Sequence, residues 1–199
     1  MSKRIKYIQI VGDALIPLIG YYFWDWSLYF ILLFYMADLL VGEVFVWVRA
    51  EKIRRHTSVN KRIANTGLIF ISLGALFALV LLINAGIRFL HPSINHWEEF
   101  LAFWNYREFG VPQGYILLPL LILMGFQQYQ LEFLLPGKFR NISLDQLWKA
   151  HAISRALLLA IVATSCGTLF FIPLSDQLVL WLIVSGAALY SLFVGQPPR

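Results

Sequence analysis

The sequence carries a single cysteine, Cys166, and only 14% charged residues, where a soluble domain of 199 residues would carry about a quarter. One cysteine forms no disulfide within the chain and supplies no Cys-x-x-Cys pair for redox chemistry or zinc. Catalytic signatures are missing as well: there is no His-Glu-x-x-His, no Gly-x-Ser-x-Gly and no phosphate-binding Gly-rich loop. The four histidines, His56, His91, His96 and His151, are not spaced as paired haem ligands within a bundle. Enzyme activity therefore has no positive support in the sequence, and no metal or cofactor is expected.

What the chain has instead is apolar length. Hydrophobic residues make up 59%, and mean hydropathy is +0.69. The apolar residues fall into six runs, at about 7–22, 27–48, 68–90, 115–134, 151–172 and 178–194. A bilayer core about 30 Å thick asks for about 20 such residues per helix. The expected fold is all-α: one domain over 1–199 forming an integral membrane bundle of six transmembrane helices, of which only the first and last are short. The basic start at Lys3, Arg4 and Lys6 runs through the first apolar block into Trp24 and Trp26 without a small-x-small cleavage site, so the first helix is expected to remain.

The net charge of +5 would suggest nucleic acid in a soluble protein, but here the cations sit in particular loops. Lys3, Arg4 and Lys6 precede the first span. Arg49, Lys52, Arg54, Arg55, Lys61 and Arg62 separate the second from the third, and Lys138, Arg140 and Lys149 separate the fourth from the fifth. The alternate connections hold Asp25, then Arg107 against Glu98, Glu99 and Glu108, then Asp176. By the positive-inside rule both termini are cytoplasmic, and six spans satisfy the rule throughout. Trp24, Trp26, Trp97, Trp104 and Trp181 fall at the outer interface, Trp47 and Trp148 at the inner one. The basic loops imply a lipid bilayer with anionic headgroups as their partner, and no nucleic acid.

Two connections carry structure of their own. After Pro92, a cap at Ser93 and apolar Ile94, Trp97, Leu101 and Trp104 at helical spacing predict a short amphipathic helix on the outer surface. His96 and Glu98 are two apart on that helix and face different ways, which disfavours a metal site. Pro136 and Gly137 end the fourth span, and Ser143-Leu-Asp-Gln146 reads as a capping box that starts the fifth helix in the headgroup layer. Asn141-Ile-Ser143 spells a glycosylation sequon, discounted because it lies on the cytoplasmic side.

Polar groups at membrane depth are the candidate site. A charge near the bilayer centre costs at least ~2.5 kcal/mol, so acids placed inside apolar runs need partners. Asp38 falls close to mid-membrane, while Asp13, Glu43, Gln127 and Glu132 fall in the inner third, as do His151 and Arg155 at the start of the fifth span. His151 and Arg155 are four apart and share a helix face, so both are placed to reach carboxylates on neighbouring helices. Asp38 and Glu43 are five apart, about 140° around the helix, and are not easily held in one pocket. Asp13, Asp38, Glu43, Gln127, Glu132, His151 and Arg155 thus form an expected intramembrane polar cluster, whose first reading is an ion-paired lock on helix packing. Pro17 and Pro119 interrupt two spans, an ordinary feature of membrane helices.

The order Trp26, then Tyr35-x-x-Asp38-x-x-x-Gly42, followed later by the stretch from Glu132 to Arg155, resembles a bacterial multipass family known as domain of unknown function 6498. The resemblance covers about two-thirds of the chain. It implies a membrane-helix bundle in a bacterial inner membrane and no activity. Where that family tends to carry glutamate this chain has Asp38, and where it tends to carry histidines this chain has Ser72-Leu-Gly-Ala-Leu-Phe77 and Ala160, so no metal or haem role carries over. The expected function is a non-catalytic accessory or scaffold subunit packing against other membrane proteins; the expected partners are a membrane protein or, in a homo-oligomer, another copy of the chain. The alternative is a small proton- or cation-coupled transporter or channel that uses the acids at membrane depth.

Overall fold

The computed structural model describes residues 3–57, 62–105, 107–108, 111–172 and 174–193, and gives the side-chain surroundings for all of these except residues 3–10, 13, 62–68, 107–108, 111–113, 170 and 192–193. The side chains of Lys3, Arg4, Lys6, Asp13, Lys61, Arg62, Arg107 and Glu108 therefore lie outside the described residues. Seven α-helices follow in order: α1 (Lys3–Phe23), α2 (Leu28–Thr57), α3 (Arg62–Leu90), α4 (His96–Asn105), α5 (Gln113–Tyr129), α6 (Leu144–Phe171) and α7 (Asp176–Phe193). A two-residue antiparallel pairing, Arg107–Glu108 with Val111–Pro112, interrupts this all-helical order before α5.

Among the described residues four helices are long and apolar enough to cross a membrane, at Leu28–Thr57, Ile69–Leu90, Gly114–Leu134 and Leu144–Leu169. Two further apolar stretches, Ala14–Phe23 and Asp176–Ser191, lie within α1 and α7 among the described residues. They correspond to the first and last of the six runs in the sequence, and they pack against each other.

Helix α2 is the centre of the bundle and touches α1, α3, α4, α5 and α6. Its first two turns, Leu28 to Phe34, are almost wholly buried, and the Trp26 and Phe30 rings meet at 4.4 Å with Phe103 of α4 beyond them at 4.9 Å from Phe30. The turn from α1 into α2 explains how Trp26 gets inside. Asp25 adopts a left-handed conformation with φ 48°, a geometry Asp tolerates better than most residues, and Trp26 N donates to Gly20 O at 3.0 Å. A Cβ on Gly20 would sit 2.1 Å from the Trp26 ring, so only glycine allows this closure. Ser27 then caps α2: its Oγ accepts from Phe30 N at 3.1 Å and donates to Glu99 Oε2 at 2.7 Å, which ties α4 down. The amphipathic helix expected here is α4, with Phe103 buried and Trp97 exposed.

The other end of α2 joins a second core of Ala50, Ile53, Tyr129, Phe133, Leu147 and Trp148. Helix α5 ends through a widened π-type turn, Gln130–Leu134, and Gly137, at φ 67°, takes the left-handed position that stops it. Ser143 starts α6 by the expected capping box: its Oγ accepts from Gln146 N, and Gln146 Oε1 accepts from Ser143 N at 2.9 Å. Helices α3 and α6 pack most extensively of any pair, with Cys166 Sγ set against Gly86 and donating to Leu82 O at 3.3 Å. Cys166 fills a close helix contact, in keeping with its type.

Candidate functional site: a buried carboxylate lock beside an interhelical cavity

Glu43 of α2 faces inward, and its side chain is 1% exposed. A carboxylate taken out of water must recover the hydrogen bonds it loses, and as an anion it can only accept. Three donors converge on it from two other helices. Arg155 Nε of α6 donates to Oε1 at 2.5 Å, His151 Nε2 of α6 to Oε2 at 2.9 Å, and Ser72 Oγ of α3 to the same Oε2. The four-residue spacing of His151 and Arg155 delivers both to one carboxylate, as one helix face must. The bond to Oε2 fixes the proton on His151 Nε2, and Ser72 Oγ lies 3.3 Å from the same nitrogen, closing a three-membered contact.

The network reaches a fourth helix. Arg155 Nη1 donates to Tyr190 Oη of α7 at 3.4 Å, and Ser154 Oγ shares a hydrogen with the same hydroxyl at 2.5 Å. With His151 9% exposed and Arg155 11%, the lock has almost no surface from which a solute or water could reach Glu43. Such a cluster can clamp helices. Three donors occupy most of the lone-pair positions that the two oxygens of Glu43 offer.

Asp38 lies elsewhere. Five residues before Glu43 and turned away from it, its exposed side chain lines a cavity of about 340 Å³ bounded by α1, α2, α3, α6 and α7. Most of the wall is apolar, and Gly86, Gly186, Ala187 and Ala188 make room for the space. Among the described residues Asp38 has no hydrogen bond and no ion pair within 4 Å, although Arg155 is near enough to act on it electrostatically. Tyr190 belongs to both features: its ring lines the cavity while its hydroxyl holds Arg155.

The remaining residues expected in one cluster are dispersed. Gln127 of α5 is exposed. Glu132, in the π-type turn, lies near Arg49, whose guanidinium stands 5.9 Å from the Phe133 ring, and interacts with it electrostatically. Glu132 Oε2 and Arg49 Nε are both buried without a hydrogen-bond partner among the described residues. Asp13 is on α1, and its side chain lies outside the described residues. Conversely, Ser72 and Tyr190 belong to the site without having been singled out for it. Ser72 was findable by depth, as a lone hydroxyl in the inner third of its span, level with Glu43. Tyr190 carries no such signal, since tyrosine is common near membrane-helix ends.

Groups at the opposite end of the bundle make structural links of the same kind. Tyr29 Oη donates to Asn84 Oδ1 at 3.0 Å, and His91 Nε2 faces Asp176 Oδ1 at 3.2 Å. The His96 ring lies 5.3 Å from that of Tyr29, tilted by 50°, and no set of three or more metal-ligating side chains gathers among the described residues. Comparison with protein-family models, with curated proteins and with solved structures found no match to this chain.

Proposed function

We propose that this chain is a non-catalytic accessory or scaffold subunit of a bacterial inner membrane. All six apolar helices span the bilayer, α1 and α7 as a mutually supporting pair, and both termini face the cytoplasm. The observation that carries the reading is the enclosure of Glu43: its two carboxylate oxygens meet three donors, and the group is 1% exposed. A site for proton exchange or catalysis needs access and a vacancy, whereas a packing clamp needs neither. A second feature supports attachment to a partner. Helix α6 has only 6% of its most apolar segment buried, against 39% for α2, so its outer surface is left for lipid or another membrane helix.

The transport alternative draws on a different residue, Asp38, which faces the cavity instead of the lock. Purification from the native membrane in mild detergent, followed by quantitative mass spectrometry, separates the two. The subunit reading expects a second membrane protein at constant stoichiometry. A lone monomer or homo-oligomer whose reconstituted ion flux is abolished by Asp38→Asn would replace it with transport.

A further inference from the structure

The cavity at Asp38 goes beyond a scaffold role. A ligand cavity is typically about 300–1,000 Å³, apolar in most of its wall, with a few convergent polar groups. This one, at about 340 Å³, meets that description, with one acid and a few hydroxyls on an otherwise apolar wall. Asp38 and Tyr190 line it on the side of the Glu43 lock, which Tyr190 also touches through Arg155, while Leu90, Thr168, Leu169 and Val179 line it elsewhere.

Charge decides what kind of ligand fits. Among the described residues lining the cavity Asp38 is the only charged one. The nearby guanidinium of Arg155 does not line the wall, and its Nε is committed to Glu43. Arg155 and His151 are both engaged by Glu43, so Asp38 is the acid left facing the cavity without a hydrogen bond or ion pair among the described residues. The hydroxyls on the wall do not neutralise it: Ser165 Oγ donates to Ile161 O at 2.9 Å and Thr168 Oγ1 to Ser165 O at 2.7 Å, both within α6. A carboxylate at this depth calls for a counter-charge, since an unpaired one is costly in hydrocarbon. Tyr35, three residues before Asp38 and on the same helix face, also lines the wall and places an aromatic ring beside the acid, a combination suited to onium groups.

We propose that this cavity binds a lipophilic cation, an apolar molecule bearing one ammonium- or phosphonium-type charge, with the charge at Asp38 beside Tyr35 and the apolar body among the α3, α6 and α7 side chains. Neutral lipid chains fit the apolar wall but leave the charge of Asp38 unanswered. Anionic amphiphiles are repelled by it.

The test uses the full chain in nanodiscs of zwitterionic lipid, with radiolabelled tetraphenylphosphonium as the probe and tetraphenylborate, of the same shape and opposite charge, measured separately. Saturable binding of the cation is expected, with no saturable binding of the anion. Asp38→Asn should weaken cation binding at least tenfold. Ala187→Phe, which fills the cavity and leaves the acid in place, should do the same, and Asp38→Glu should retain it. Each variant is first shown to be monodisperse with unchanged helical content. Equal binding of both ions, undiminished cation binding in Asp38→Asn, or absence of saturable cation binding to the wild-type chain would each overturn the proposal; the first two would make the cavity a charge-blind space for lipid chains.

Discussion

Replacing Glu43 with glutamine keeps the shape of the side chain and removes its charge, leaving Arg155 and His151 in place around an amide. Two magnitudes bracket the loss. If each of the three hydrogen bonds on Glu43 is worth only the ~0.6 kcal/mol typical between membrane helices, their loss totals about 2 kcal/mol. If Arg155, 11% exposed, behaves as an orphaned buried ion, the loss is about 3–5 kcal/mol. The burial of both partners favours the upper figure. The same reasoning predicts that Arg155→Met alone is similarly damaging, because it strands Glu43, and that Glu43→Gln combined with Arg155→Met recovers most of either loss. Reversible unfolding in mixed micelles, followed by circular dichroism as denaturing detergent is added, gives all three values and their coupling. Single-variant losses under about 1 kcal/mol, or a double variant whose loss is the sum of the two, would refute the claim that Glu43 and Arg155 form one buried unit.

Three further outcomes follow from local geometry. A Cβ at Gly86 would stand 2.8 Å from Cys166 Sγ, so Gly86→Ala is expected to lower stability by about 1 kcal/mol or more, with Cys166→Ala added to it restoring most of that loss in the same unfolding assay. Gly20→Ala places a methyl 2.1 Å from the Trp26 ring and should displace this buried indole, with loss of near-ultraviolet dichroism and ~1–3 kcal/mol of stability. Ser143→Ala removes one arm of the capping box and should cost about 1 kcal/mol, read as roughly fivefold faster amide exchange over residues 144–148.

Helix class, the capped start of α6, the stop at Gly137 and the surface helix α4 were all legible in the sequence, because each depends on residues close together in the chain. The pairing of Arg155 with a carboxylate was legible too, from the cost of leaving either charge alone in hydrocarbon. Which carboxylate it meets was not. Asp13, Glu43 and Glu132 are expected at comparable depths on different helices, with Asp38 about a turn and a half from Glu43 along α2, and depth alone cannot say which faces rotate toward α6. The 140° separation of Asp38 and Glu43 was informative, since it predicts that one joins the lock only if the other does not. The gathering of seven residues into a single cluster was too broad: Gln127 points outward, and Glu132 is held near Arg49 by the turn at the end of α5. Ser72 and Tyr190 were missed because a hydroxyl in a membrane helix can also satisfy itself on its own backbone, as Thr164 and Ser185 do here.

The central claim, that Glu43 is sealed in a dry clamp, is tested most directly by water-edited solid-state NMR of the chain in lipid, with the glutamate side-chain carboxyl carbons labelled and Glu43 assigned by its absence in Glu43→Gln. The account predicts slow magnetisation transfer from water to Glu43 and fast transfer to the exposed Glu98. Transfer to Glu43 as fast as to Glu98 would mean that water reaches the carboxylate, and would contradict the clamp and the non-catalytic function built upon it.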